Sequence, residues 1–573
     1  MNLGRLRSIR ERLTDAVRRH GLPTVTKAII SSCLRYGLVA TVRLGGAERP
    51  FPWTRNTGVQ DQALAAPPSG PPDLDEAFAL DLGQWRRWLA VFAEQDLSEP
   101  DAAAAPLTVV IRGADTDAAA RTREALTVLG PGVQVWRPGD AGPGPGGFWL
   151  FLQAGDLPEP DLPRALAQAA REGTADVLSF DLWRAAGERA QPLLLPGANP
   201  TLMRSTDYLF SRLAVAAEMV AAGADPATLD PRSLVLAWLE GRPVHEVRAR
   251  WRHVGRPLAR IQLAADAVEL HRRQGLEHGR RQPPARRGEP ITAVICTKDK
   301  GHLTRQLVGR LLDEEPGLIG EVVIVANNTR NPYALQALED LGRCARVTVL
   351  RRDERFNFSR LSNAGVRRAA GRGPLLFLND DIAPVSRDWL GRLAAHLDDP
   401  GTGAVGPLLL YPDERVQHAG MYLGKRGDAG HILRAAALPA DDYLFTASAA
   451  REVSALTGAT LLTPRAVFES LGGFDEQLAT SLQDVDYCLR LRAIGRVNVF
   501  EPASVLIHME SASIRKIDAG QEFQRLRLAE RTRFRERWGD LLLNDPLHPR
   551  GFDLEDESLR RLSGPGGSRP KSR

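Results

Sequence analysis

The chain has 573 residues, 43% of them hydrophobic and 25% charged, with a formal net charge of +5. That length exceeds what one core organises and sets an expectation of two or three domains of ordinary globular composition. No apolar run is long enough to span a bilayer, the four cysteines form no CxxC, and no aromatic–basic interleaving marks a nucleic-acid binder. Membrane-spanning, disulfide-framework and nucleic-acid classes are therefore set aside, and a reduced, cytoplasmic setting is expected.

The opening stretch, MNLGRLRSIRERLTDAVRRHG, is basic and lacks the apolar core of a signal peptide. It reads as an Arg-rich amphipathic helix. Such a helix either packs on its own protein or makes a peripheral contact with the inner face of an anionic membrane. A Pro-rich connector, AAPPSGPPD, follows at Ala65–Asp73, so residues 1–104 are read as a helical and Pro-rich region with no assigned role. Over residues 105–270, LTVVIRG and VQVWRPG have strand composition, and FWLFLQAGD carries an apolar run into Asp156 ahead of a helical pattern. GDAGPGPGG, Gly139–Gly147, is a loop within that domain. Residues 271–290 are polar, basic and Pro-containing, which suits an exposed linker.

From residue 291 strands and helices alternate clearly. ITAVICT, EVVIVANN, RVTVLRR and PLLFLND are short apolar strands, and HLTRQLVGRLLDEE, PYALQALEDLG and SRLSNAGVRRAAG have helical spacing between them. This order implies βαβ units and a parallel sheet, whose ligands bind beyond the carboxyl ends of the strands. Asn379-Asp380-Asp381 stands at such an end. Paired carboxylates there can hold a hard divalent cation, Mg2+ or Mn2+. They can equally do ordinary turn and capping work, which is the commoner use of Asp. Asp484 and Asp486 open a later helix, where the dipole alone favours acids. His508 ends a later strand, and a lone histidine there is more often packed than ligating.

The two halves echo each other. WLFLQAGDLPEPDLPRAL parallels LLFLNDD and its following helix, and GRPVHEVRARWRH loosely parallels GRVNVFEPASVLIH. A diverged internal duplication is expected. The first copy keeps at most one of the adjacent acids, having Gln153-Ala154-Gly155-Asp156.

FNFSRLSNAG, LLFLNDDI, DWLGRL, GAVGPLLLYPDERVQHAGMYLG, ALTGATLL, GGFDEQL, QDVDYCLRL and IHMESAS occur in one order over some 250 residues. In these the segment resembles the family 2 inverting glycosyltransferases of GT-A fold, and more narrowly the rhamnosyltransferase-like enzymes of bacterial O-antigen and surface polysaccharide assembly. The resemblance implies an α/β protein with tandem GT-A, Rossmann-like domains, the first degenerate (105–270) and the second catalytic (291–545), a helical N-terminal segment and a tail at 546–573. It implies Asp381 and His508 as ligands of a Mg2+ or Mn2+ ion. Thr297, Asp299, Asn327, Asn363, Asn379 and Asp380 are implied donor-binding residues, and Gly458, Asp475 and Glu476 acceptor-binding ones. Asp484 is the implied general base. The partners would be a nucleotide-diphosphate sugar and a lipid-linked or oligosaccharide acceptor. Two departures stand out: Ala326 where relatives carry an acid that reads the nucleotide, and Asn379 in place of a leading Asp. They keep open a non-catalytic glycan- or nucleotide-sugar-binding role in an assembly complex. A sugar-nucleotide pyrophosphorylase is ranked last, since ICTKDKGHLTRQL offers only Gly301 for a phosphate loop.

Overall fold

Alternating apolar strands and amphipathic helices build two mixed sheets in this chain. The computed structural model describes residues 106–563 except 114–115, 131, 172–173, 187–188, 264–266, 281–287, 315–316, 439–441 and 510–520, with separate pieces between 42 and 49 and between 80 and 89. The expected N-terminal helix and the Pro-rich connector lie outside the described residues. Residues 1–61 form one unit, in which Val42–Leu44 pairs antiparallel with Ala47–Arg49. Residues 62–573 form the other and carry both large sheets.

The first sheet contains β1 (Leu107–Arg112), β2 (Val133–Val135), β3 (Phe148–Gln153), β4 (Leu157–Pro158), β5 (Val177–Ala186), β6 (Arg189–Leu193), β7 (Leu213–Ala216) and β8 (Trp251–Arg260). β2, β1 and β3 run parallel, β7 lies antiparallel between β3 and β5, β8 runs parallel to β5, and β4 closes antiparallel on β8. β6 forms a hairpin with the far half of β5. The parallel strands are continuous apolar runs because both faces are covered; Val109, Leu150, Phe151 and Leu152 are all fully buried.

The second sheet contains β9 (Ile291–Thr297), β10 (Ile319–Asn327), β11 (Val347–Arg352), β12 (Leu375–Asn379), β13 (Ile382–Pro384), β14 (Thr402–Leu410), β15 (Val416–His418), β16 (Thr460–Thr463) and β17 (Val497–His508). Its order is β11–β10–β9–β12–β16–β14–β17–β13. Strand directions repeat the first sheet: β10, β9 and β12 are parallel, β16 is antiparallel to both neighbours, β14 is parallel to β17, and β13 is antiparallel to β17. Even the β5–β6 hairpin has its match in β14–β15. The second sheet adds β11 and the short strand Arg451–Val453, antiparallel to β17, and the first adds Leu80–Asp81, antiparallel to β6. The halves therefore share one plan, an α/β fold used twice.

Strand pairing corrects one detail of the expected duplication. Val244–Arg250 is a helix and the strand starts only at Trp251, so GRPVHEVRARWRH does not match a strand end. Val244, Val247 and Trp251 already carry the helical period. In register, Leu157 faces Arg260 as Ile382 faces His508. Arg260, not His253, thus occupies the place of His508, and Asp156 that of Asp381.

The two sheets are fastened directly. Asn199 receives the Glu452 N–H at Oδ1 and donates from Nδ2 to the Glu452 carbonyl, both at 3.0 Å, like a strand neighbour. Tyr443 Oη receives the Leu194 N–H at 2.9 Å and donates to its carbonyl at 3.1 Å. Ala267–Arg280 is a helix with Arg272 buried, so the first half of the expected exposed linker is packed structure. The segment expected as a tail also docks as far as Ser563. Leu554 O accepts from Tyr422 Oη, Glu557 Oε1 from His431 N, and Ser563 O from Trp88 Nε1. Residues 564–573 lie outside the described residues.

Among the described residues, no helix is long and apolar enough to cross a membrane.

Candidate functional site

The site lies at the carboxyl ends of β9, β10 and β12, where the sequence delivers Thr297, Asn327 and Asn379. Helix α1 (Gly301–Glu314) follows β9, and α2 (Phe358–Arg368) precedes β12. α2 packs tightly on the sheet because Gly365 has no side chain; a Cβ there would stand 2.6 Å from Val294 Cγ1.

Asp380 and Asp381 are 6% and 4% exposed, so neither is a solvated turn acid. Thr297 Oγ1 donates to Asp380 Oδ2 at 2.8 Å. Lys300 Nζ lies 3.1 Å from Asp380 Oδ1 and 3.2 Å from Asp381 Oδ2. Burial, and next the charge of Asp381, push the Asp380 carboxyl up to about 6 against the opposing pull of Lys300. Burial depresses the Lys300 ammonium, but the two carboxylates outweigh it and hold the group above its ordinary range.

His508 completes this corner. Its Nδ1 stands 2.6 Å from Gln417 Oε1, an oxygen that can only accept, so Nδ1 carries the proton. In the neutral ring Nε2 then presents a lone pair, 3.3 Å from Asn379 Nδ2 and 3.2 Å from Asp381 Oδ1. A lone pair aimed at a carboxylate oxygen suits a cation between them. Neighbouring ligands of an octahedral ion at about 2.1 Å lie about 3 Å apart, and an outer acceptor on the far ring nitrogen is the usual partner of a ligating histidine. Among the described residues no group of three or more His, Cys, Asp or Glu could hold a metal ion, so an ion at this pair would need further ligands from elsewhere.

The second acidic cluster sits at the start of α3 (Gln483–Ala493). Asp484 Oδ2 accepts from Gly458 N at 2.7 Å and Oδ1 from Val485 N at 2.9 Å. Burial nonetheless holds its carboxyl above the usual carboxylate range. Asp486, two residues on, faces the other way and is fully buried. It accepts from Arg490 Nε at 2.8 Å, Arg537 Nη1 at 2.7 Å and Trp538 Nε1 at 3.0 Å. Arg537 and Trp538 belong to α4 (Gln521–Leu543), which also inserts Glu530 to receive the N–H groups of Ala479 and Thr480 and the hydroxyls of Thr480 and Ser481.

Two adjacent residues join the clusters. Asn379 N donates to Ala459 O at 2.9 Å, and Gly458 N donates to Asp484. The Gly458-Ala459 link thus spans from the tip of β12 to the first turn of α3.

The remaining expected residues are placed as follows. Asp299 accepts from the N–H groups of Arg330 and Asn331 at 2.7 and 2.8 Å, tying the β9 loop to the β10 loop. Asn327 donates to Arg352 O and Glu354 O at the end of β11. Asn363 is spent on the turn at 472–476, donating to Phe474 O and accepting from Phe474 N. That turn needs Gly473, at φ +76, because a Cβ there would stand 2.6 Å from Asn363 Oδ1. Asp475 is bound by Arg533 and Arg537, and Glu476 by Asn363, Arg360 and Arg367. Lys300 was not expected. Its only sequence signal is a base just past a strand end, in TKDK.

Residues 292–437 match the model of Glycosyl transferase family 2. This part of the chain is a family 2 glycosyltransferase domain. Over 416 residues the chain is 33% identical to the O-antigen biosynthesis protein RfbC of Myxococcus xanthus, covering 65% of this chain and 32% of that one. It is 29% identical over 121 residues to the N-acetylglucosaminyl-diphospho-decaprenol L-rhamnosyltransferase of Mycobacterium tuberculosis, covering 20% and 39%. The chain thus spans about a third of each relative's length. The solved structure of GalNAc-T7 with UDP, GalNAc and Mn2+ covers 39% of this chain and 43% of its own at 17% identity and a TM-score of 0.33, too distant to say more. Both acidic residues of the transferase domain's strand tip fall inside the matched range, whereas Asp484 and His508 lie beyond it.

Proposed function

We propose that the second half of the chain is a metal-dependent inverting glycosyltransferase. It would move a sugar from a nucleotide-diphosphate donor to a hydroxyl of a growing surface glycan of O-antigen type. The observation that carries this reading is the Gly458-Ala459 link, which puts a half-buried carboxylate, Asp484, beside the tip that holds Asp380, Asp381 and His508.

Inversion needs two separate charges handled at once. Asp484 takes the proton of the acceptor hydroxyl as its oxygen attacks the anomeric carbon, and the bond from that carbon to the diphosphate oxygen breaks with its electron pair leaving on the diphosphate. Asp381 and His508 would hold a Mg2+ or Mn2+ ion, which when bound supplies positive charge to the departing diphosphate. Lys300 adds a permanent positive charge at the same corner. The O-antigen and L-rhamnosyl names of the relatives support a bacterial envelope glycan as acceptor.

The first half is read as scaffold or glycan-binding support without transfer chemistry. Its surviving acid, Asp156, is fully buried in a two-point pair with Arg212 at 2.9 and 3.1 Å, so a guanidinium stands where a metal would be needed.

The test is a screen of nucleotide sugars with Mn2+, Mg2+ or chelator, against lipid-linked and oligosaccharide acceptors. We expect one donor to be consumed only with a divalent ion. Nucleotide binding without ion dependence and without consumption of any donor would favour the non-catalytic binding protein instead.

A further inference from the structure

The strand tip read above as the donor site contains a cation of its own. Lys300 Nζ touches one oxygen of each adjacent carboxylate, at 3.1 Å from Asp380 and 3.2 Å from Asp381. The other oxygen of Asp380 takes the Thr297 hydroxyl, and the other oxygen of Asp381 faces His508 Nε2. Both carboxylates are almost wholly buried, while the Lys300 side chain is 21% exposed.

Two buried like charges require counter-charge, and the Lys300 ammonium supplies one to both. A divalent ion on Asp381 would bring two further positive charges within a few ångströms of that ammonium. In a low-dielectric pocket such a contact is strongly unfavourable. Lysine is a point charge on a flexible four-carbon stem, so it can re-aim by turning its stem, provided that another anion receives it. A diphosphate is such an anion.

We propose that Lys300 is a tethered cation that competes with the divalent ion for the Asp380–Asp381 pair, and that the donor diphosphate relieves the competition by taking over the ammonium. Ion and nucleotide then bind co-operatively, each weakly alone. The inference rests on the donor-site reading of this strand tip.

The experiment is Mn2+ titration of the full chain, followed by the electron paramagnetic resonance signal of free Mn2+, with and without UDP or TDP. In the unaltered protein, nucleoside diphosphate should tighten Mn2+ binding about tenfold or more. Lys300→Met should bind Mn2+ about tenfold tighter without nucleotide and lose most of the further gain on adding it. Lys300→Arg keeps the charge and should behave like the unaltered protein. If the Met variant does not fold, Lys300→Gln, which is neutral but polar, asks the same question. Asp381→Asn serves as the control for the site. Mn2+ binding that depends on Asp381 but is no tighter in Lys300→Met would overturn this inference alone. Mn2+ binding that ignores Asp381, or none in any form with nucleotide present, would overturn the donor-site reading and this inference with it.

Discussion

Asp484→Asn should lower turnover by about 10²–10⁴-fold, the usual worth of a positioned general base and equivalent to about 3–5 kcal/mol of transition-state energy. The amide keeps an oxygen for the Gly458 N–H but its NH2 cannot accept from Val485 N, so donor KM should change little and stability should fall by about 1 kcal/mol. The pH dependence gives the sign. Burial raises the Asp484 carboxyl above the ordinary range, and the base works only when ionised. Activity should therefore be full above that raised pKa and fall as the pH drops through it. Steady-state kinetics across acid pH should show this limb in the unaltered protein and lack it in any residual activity of the variant. A variant with full turnover would remove Asp484 from the chemistry.

Asp486→Ala, only two residues away, should do something different: destabilise the protein by about 3 kcal/mol or more. Asp486 is fully buried and neutralises Arg490 and Arg537 while accepting from Trp538. Removing it leaves two guanidinium groups facing a void and releases α4 from the start of α3. Both arginines retain some access to water, at 18% and 36% exposure, which keeps the cost near the lower end for a broken buried pair. The measurement is the urea unfolding midpoint, read beside Asp484→Asn. Equal stabilities of the two variants would contradict the division of labour within QDVDY.

The strand tip was legible because a continuous apolar run can only be a buried strand here, and its first polar residues must mark an end. The alternation of strands and helices likewise exposed the α/β class. Asp484 could not be reached by local chemistry, since acids in a first helical turn are expected anyway; only the order of motifs over the whole domain singled it out. Lys300 was hidden for a topological reason. It meets Asp380 across 80 residues because β9 and β12 are sheet neighbours, and adjacency through crossovers leaves no mark on local sequence. The duplication was visible as a repeated LFL-and-acid pattern, yet its second landmark was misplaced by aligning a helix with a strand. Short matches cannot distinguish the two when Val and Arg fill both. The docking of residues 546–563 was missed because its anchors, Leu547, Phe552 and Leu559, are sparse and lie in turns without a period.

The stereochemistry of transfer tests the central claim most directly. With the donor and acceptor found by the screen, proton NMR of the new glycosidic linkage during the first turnovers should show the anomeric configuration opposite to that of the donor. Retention of the donor's configuration would contradict a single displacement assisted by Asp484.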